Sequence, residues 1–374
     1  MKLYRIFLIA LFSILLFSFF NFLLPDKDYE ISNNASEFES KVELVDPTPN
    51  QDKDFVYAAE KSIDAVVHIK SKYVEDVTYR YHDPIYQFFY GDSYRYFNQP
   101  KEQTASGSGV IISSDGFIVT NNHVINNAKE IEVVLNDKRI YSAQILGVDP
   151  TTDLALLKIE EQNLSSLDFA DSDNARVGEW VIAVGNPFNL NSTVTAGIIS
   201  AKGRDINILR NPHAIESFIQ TDAAINSGNS GGALVSTNGE LIGINTAIQS
   251  QTGSYSGYGF AIPSNIVKKI VSDLKEFGEV RRAFIGIQIS EIPREIAQDR
   301  ELRNGVLITR VLEDGAAKKA GIQASDILLT INGIKIKSVS SLQEQISKYR
   351  PGDNIDCTLD RNGRILKFNL DLSS

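Results

Sequence analysis

Apolar residues divide the chain into successive stretches of different character. Ile6 to Leu24 is nearly unbroken, interrupted by Ser13, Ser18 and Asn21, and is about long enough to cross a bilayer core as a helix. Residues 26–52 are polar and acidic, with Pro47 and Pro49, which predicts a flexible tether. Ile63 to Lys70 then reads as a first strand with Ala65 to Ile69 at its core, and short apolar runs recur from Ser106 to Ile262, including Gly109 to Ile112, Glu132 to Leu135, Trp180 to Gly185 and Leu241 to Asn245. Gly, Asn and Asp separate them, the pattern of many short antiparallel strands closed into barrels. Ile266, Ile270, Leu274 and Phe277 recur at helical spacing and Gly278 follows, which predicts a helix ending in a glycine C-cap. It closes a domain over 53–280. Residues 281–374 form a smaller module, with a strand over Phe284 to Ile289 and a helix over Ser341 to Tyr349 that carries Leu342 and Ile346 on one face.

Length and charge narrow the classes. With 374 residues, the chain is too long for one ordinary core, so two folded domains are expected. A net charge of −10 argues against a nucleic-acid partner. The one cysteine, Cys357, rules out an intramolecular disulfide and reads as a packed strand residue. No zinc, haem or phosphate-loop pattern occurs, so no metal or cofactor is expected. Lys2 and Arg5 precede the first apolar run, which places the bulk of the chain on the far side of a membrane. That run ends at Asn21-Phe22-Leu23-Leu24-Pro25 without an Ala-x-Ala-like site, so residues 1–25 read as an uncleaved anchor, with a cleaved signal peptide as the alternative.

Three short runs carry candidate chemistry. Asn226-Ser227-Gly228-Asn229-Ser230-Gly231-Gly232 surrounds a serine with small residues, so the backbone is free to turn tightly and approach a substrate. A serine nucleophile needs a base and donors for the oxyanion, and Gly228 and Ser230 are placed to supply two N–H groups. Upstream, Ile118 to Ile125 passes from apolar residues into Asn121-Asn122-His123, a strand running into a loop. Between them, Asp153 opens the run Leu154 to Ile159, while Asp149 beside Pro150 reads as a turn residue. His68 lies inside an apolar run and reads as structural.

Thr120-Asn121-Asn122-His123-Val124, Asp153-Leu154-Ala155-Leu156-Leu157 and Gly228-Asn229-Ser230-Gly231-Gly232-Ala233-Leu234 resemble the catalytic motifs of the HtrA/Deg serine proteases, over roughly residues 53 to 374. The resemblance implies a mainly β fold: two six-stranded barrels of chymotrypsin type with the active site between them, then one α+β PDZ domain. It implies His123 as general base, Asp153 as its orienting acid and Ser230 as nucleophile, with Gly228, Asn229 and Ser230 around the oxyanion hole. It places Ile225, Thr246 and Ile248 around the S1 pocket, which without an acid favours small apolar P1 residues.

Ala320 to Gly333 resembles the PDZ core signature, and Phe284-Ile285-Gly286-Ile287 is similar to the carboxylate-binding loop of Deg-type PDZ domains. Successive N–H groups about a glycine capture a terminal carboxylate, and the peptide adds as a strand. Leu342 and Ile346 are expected to line the groove. Ser200 to Asp205 resembles the start of the family's sensor loop, with Arg204 as the residue linking it to the PDZ domain. The aromatic stretch Tyr79 to Phe97 matches in position the long loop that family members use for assembly, although membrane-anchored single-PDZ relatives have a much shorter one. The expected partners are unfolded or membrane-protein substrates, peptide C-termini and further copies of the chain in a homotrimer or higher multiple. The expected place is the periplasm, at the inner membrane. The alternative is a PDZ-mediated chaperone or scaffold with secondary proteolysis.

Overall fold

A computed structural model describes residues 54–74, 102–187, 192–209, 214–248, 256–299 and 304–373. The anchor and tether readings over 1–52 and the aromatic stretch Tyr79 to Phe97 lie outside the described residues. Among the described residues, no helix is long and apolar enough to cross a membrane.

Helix α1 (Phe55–Ile63) opens the described chain, its first turn capped by the Asp54 carboxylate, which accepts from Tyr57 N–H at 2.8 Å. The first barrel follows in β1 (Val66–Val74), β2 (Glu102–Ile111), β3 (Phe117–Asn121), the short helix α2 (Asn122–Ile125), β4 (Glu130–Val134), β5 (Ile140–Ser142), β6 (Gln144–Asp149) and β7 (Leu154–Lys158). The sheet order is β5-β4-β1-β2-β3-β7-β6, seven strands where the resemblance implies six. The difference has a local cause. β5 and β6 occupy opposite ends of the sheet yet are separated in sequence only by Ala143, whose N–H still reaches Ile131 O at 2.9 Å. One bent strand therefore pairs with β4 by its first half and with β7 by its second, and closes the sheet through the covalent chain. Val67, Ile69, Ile118, Ile131, Val133 and Leu157 fill this interior.

The second barrel consists of β8 (Trp180–Gly185), β9 (Thr193–Arg204), β10 (Phe218–Thr221), β11 (Ala233–Ser236), β12 (Leu241–Ile248) and β13 (Gly259–Pro263), closed in the order β10-β13-β12-β11-β8-β9. Every residue of β10 and β13 is buried, and Phe218 meets Phe260 edge to face at 6.2 Å between centroids. Helix α3 (Ser264–Phe277) begins two residues before the predicted position and ends as the sequence suggests: Gly278 adopts φ 75° and its N–H returns to Leu274 O.

The C-terminal module contains β14 (Ile287–Ser290), α4 (Arg294–Asp299), β15 (Val306–Val311), α5 (Ala316–Ala320), β16 (Ile327–Ile331), β17 (Ile334–Lys335), α6 (Val339–Ser347), β18 (Asn354–Arg361) and β19 (Arg364–Asp371). Its sheet runs β14-β15-β16-β18-β19, with β17 on β16. Ile308, Ile331, Leu342, Ile355 and Cys357 belong to a core of its own. Cys357 is buried, as its place in an apolar strand suggests, and burial pushes its thiol pKa up to about 12.

Candidate active site

His123 and Asp153 meet because the strands that carry them pair. β3 ends at Asn121 and β7 begins at Leu154, and these two residues are antiparallel partners. The residues just beyond those ends are therefore neighbours. Asp153 sits at φ 59°, a left-handed conformation that aspartate tolerates better than most side chains. Its backbone carbonyl accepts from Asn122 N–H and from Asn121 Nδ2, both at 3.0 Å. Its carboxylate then faces the histidine: Oδ1 takes His123 N–H at 2.9 Å, and Oδ2 takes the ring Nδ1 at 2.7 Å. A carboxylate only accepts here, so Nδ1 carries the proton, and in the neutral ring Nε2 is the nitrogen without one. Asp153 is 2% exposed, so this pair works out of bulk water.

Ser230 lies in the loop between β10 and β11 and is 5% exposed. Its hydroxyl donates to Thr246 O at 3.4 Å, and Thr246 Oγ1 donates to Asp153 Oδ2 at 2.9 Å. Thr246 thus touches Asp153 of the first barrel and Ser230 of the second from one position on β12. Thr246, which the resemblance places around the S1 pocket, also supports Asp153 through its hydroxyl. Ile225, also assigned to S1, is fully buried and packs on Gly259, where a Cβ would sit 2.8 Å from Ile225 Cδ1. Ile248 ends β12, and its side chain lies outside the described set.

The loop backbone around Ser230 is tied on every side. Asn229 N–H bonds Asn226 O at 3.0 Å, Gly231 N–H bonds Asn245 O at 2.8 Å, and Gly232 N–H bonds Asn229 O at 2.9 Å. The N–H groups of Gly228 and Ser230 meet no backbone acceptor among the described residues, leaving both for a developing oxyanion. Gly228 has φ 95°, and a Cβ there would lie 2.4 Å from Pro187 Cβ. Only glycine meets both demands. Asn229 is buried against Gly185, with its Oδ1 2.4 Å from where a Gly185 Cβ would stand.

The predicted peptide-binding residues also converge. Phe284, Ile285, Gly286, Ile287, Leu342 and Ile346 line one cleft of about 850 Å³. Gly286 has φ 80° and packs on Gly315, while its carbonyl is held by Leu312 N–H at 2.9 Å. The N–H groups of Ile285 and Gly286 meet no backbone acceptor among the described residues. The groove helix α6 spans Val339–Ser347 behind a Ser338–Ser341 capping box, two residues upstream of its predicted range. Ala214 and Ile215, from the protease domain, also border the cleft.

Several contacts join the two domains. Ser217 Oγ donates to Glu344 Oε2 at 2.7 Å, Ser340 Oγ to Gly203 O at 2.8 Å, and Lys348 Nζ pairs with Asp173 at 2.6 Å. Arg350 Nε meets the fully buried Asp273 at 2.7 Å. Arg204, the predicted link, bonds Gln220 at 2.9 Å within its own barrel, and its neighbour Gly203 makes the contact with α6. Asp149 has more partners than a turn needs. It accepts from Thr151 and Thr152 and receives Arg282 Nη2 at 2.7 and 2.6 Å, which clamps the start of the PDZ module to the first barrel.

Both domains have counterparts among known proteins. Residues 107–244 match the trypsin-like peptidase domain model, and residues 283–372 match the PDZ domain model. The chain is 46% identical over 278 residues to the periplasmic serine endoprotease DegP of Escherichia coli K12, covering 73% of this chain and 58% of that one. It is 41% identical over 320 residues to the periplasmic pH-dependent serine endoprotease DegQ of the same organism, covering 84% and 69%. A solved structure of the HtrA-type protease AlgW with a tripeptide is 36% identical, with a TM-score of 0.63 over 84% of this chain and 95% of the other. The chain spans 58% of the length of the DegP relative. With both domains, the motifs and these relatives in agreement, the chain belongs to the HtrA-type family of trypsin-like serine endoproteases that includes DegP and DegQ.

Proposed function

We propose that the chain is an ATP-independent serine endopeptidase of the bacterial envelope that cleaves misfolded or regulatory proteins. The observation that carries this is the buried His123–Asp153 pair joined through Thr246 to Ser230, beside two N–H groups with no backbone acceptor among the described residues. Ser230 Oγ attacks the scissile carbonyl and His123 Nε2 takes its proton. Gly228 and Ser230 N–H hold the oxyanion, and His123 returns the proton to the leaving amine. Water repeats the sequence on the acyl-enzyme. The test is degradation of unfolded casein by the purified protein and by Ser230→Ala. Loss of turnover in the variant supports the reading, and equal turnover contradicts it.

An S1 pocket around Ile225, Thr246 and Ile248 has no acid among these residues, which favours cleavage after Val or Ala. Cleavage mapped mainly after Lys or Arg would refute that. The cleft around Phe284 to Ile287 is read as a site for peptide C-termini, in line with relatives solved with a tripeptide and a decapeptide. Occupancy there is expected to raise kcat/KM through the segment after β9, with a population shift toward a formed oxyanion hole. Peptides against their C-terminal amides test this, and Arg204→Ala tests whether the route uses that residue. An envelope-stress role, a periplasmic location and an inner-membrane anchor over residues 1–25 rest on the N-terminal sequence and the periplasmic relatives. Association into a trimer has support in exposed apolar side chains such as Phe55 and Trp180, which stack edge-on at 5.3 Å. Mass measurement in detergent and N-terminal sequencing decide assembly and anchor cleavage.

A further inference from the structure

A buried serine of the first barrel touches the catalytic loop of the second at several points. Ser108 on β2 is fully buried. Its hydroxyl accepts from Asn186 N–H at 2.8 Å and donates to Gly228 O at 2.7 Å. Its backbone N–H donates to Ser230 O at 2.8 Å, and its carbonyl takes the Thr120 hydroxyl at 2.7 Å. The fit is close: a Cβ on Gly231 would lie 2.1 Å from Ser108 O. One residue therefore faces the carbonyls of Gly228 and Ser230, whose own N–H groups form the candidate oxyanion hole.

His68 completes the arrangement. It is the direct antiparallel partner of Ser108 across β1 and β2, so the two side chains stand on one face of the ladder. His68 Nδ1 meets Asn186 O at 2.6 Å, and because a carbonyl only accepts, Nδ1 carries the hydrogen. Burial lowers the His68 pKa and keeps the ring neutral, in the donor form this bond requires. The peptide units of Asn186, just past β8, are thus gripped through the carbonyl by His68 and through the N–H by Ser108. Each Ser108 hydroxyl bond orients the other, so the chain His68–Asn186–Ser108–Gly228 passes order from the rigid ladder to a glycine free to adopt other conformations.

We infer that Ser108, oriented through Asn186 and His68, is a positioning residue for hydrolysis, fixing the Gly228 carbonyl so that the loop's N–H groups face the oxyanion. This rests on the protease reading above. Without the hydroxyl, the Gly228 carbonyl loses its partner and the loop spends time with its donors turned away, which lowers the population of competent enzyme. Such a loss acts on the transition state and leaves ground-state binding alone.

The experiment compares Ser108→Ala with wild type on a chromogenic peptide, and measures inhibition by a peptide boronate of the same sequence. Removal of one oxyanion donor costs about a hundredfold or more in kcat; loss of its orientation is expected to cost about tenfold to a hundredfold. KM should stay within about twofold, and boronate affinity should fall in step with kcat/KM. Ser62→Ala is the matched control, since it also removes a fully buried hydroxyl, one that donates to Ala58 O at 2.7 Å in α1. It should lower the melting temperature and leave kcat unchanged. A folded Ser108→Ala with wild-type kcat, or with boronate affinity unmoved, overturns the inference. If Ser108→Ala does not fold, His68→Asn, which keeps an N–H donor, should retain activity while His68→Leu loses it. A fully active His68→Leu overturns the inference in that case. Wild type that neither cleaves peptide nor reacts with a fluorophosphonate overturns the protease reading and takes this one with it, whereas an active wild type isolates the result to Ser108.

Discussion

Asp153 grips His123 twice: Oδ1 holds the backbone N–H at 2.9 Å, and Oδ2 holds ring Nδ1 at 2.7 Å. The first bond anchors the first turn of α2, in which His123 is the second residue, and the second fixes the ring tautomer. Asp153→Asn keeps the size and places an amide where the ring needs an acceptor. We expect kcat to fall by about ten-thousandfold with KM and the melting curve close to wild type. Steady-state kinetics beside a thermal melt checks this, and retention of more than a tenth of wild-type kcat would contradict the assignment.

Gly228→Ala tests the oxyanion loop. The position combines φ 95° with Pro187 Cβ 2.4 Å from a new methyl group, so the loop has to shift away from Pro187. The expected outcome is a folded protein with hydrolysis reduced at least a hundredfold, the scale for loss of an oxyanion donor. Circular dichroism and peptide turnover measure the two halves of that statement.

The candidate triad could be picked out in the sequence because each member stands where the hydrophobic pattern breaks: His123 after β3, Asp153 before β7, Ser230 among glycines. The barrel strands and α3 followed from the same alternation of apolar runs and breakers. Four features were hidden for physical reasons. The bend at Ala143 makes one strand serve two edges of the sheet, and spacing does not show such a closure. The Thr246 hydroxyl crosses to Asp153 of the other barrel, a direction fixed by packing and not by its neighbours in sequence. Asp149 read as a turn residue, and it is one; its second partner, Arg282, lies 133 positions away, and nothing local announces that pairing. Ser108 lies in the run Ser106-Gly107-Ser108-Gly109, where nothing in the sequence marks it and where small residues allow close approach of the Ser230 loop.

Arg350→Ala tests the junction between the domains. Asp273 is fully buried and shares its charge between Arg350 at 2.7 Å and Lys269 at 2.7 Å. Losing one of two cations is expected to cost about 1–3 kcal/mol, less than full exposure of a buried carboxylate to no partner. Denaturant unfolding measures the cost, and increased proteolytic nicking between the domains should accompany it. A variant as stable as wild type would show that Lys269 suffices.

Glu344 gives a pH signature. Burial raises its pKa above the ordinary 4.5, while the Lys348 cation and the Ser217 hydroxyl act in the other direction. The native state therefore holds the proton more tightly than the unfolded chain, so this group favours folding at low pH. That contribution is lost as pH rises from about 4.5 through the folded pKa. Glu344→Gln keeps an acceptor for Ser217 and removes the buried charge. Its melting temperature is expected to exceed wild type at pH 8, with the gain shrinking as pH falls toward 4.5. A variant less stable than wild type at pH 8 would mean that the Lys348 ion pair outweighs desolvation.

The most direct test of the nucleophile is intact-mass spectrometry after treatment with a fluorophosphonate, with and without a hydrophobic C-terminal peptide. Wild-type protein is expected to gain one phosphonyl group, located on Ser230 by peptide mapping, faster when the peptide is present. Ser230→Ala and Asp153→Asn should gain none on the same timescale. Equal labelling of wild type and Ser230→Ala, or a label mapped to another serine, would contradict the assignment of Ser230 as the attacking residue.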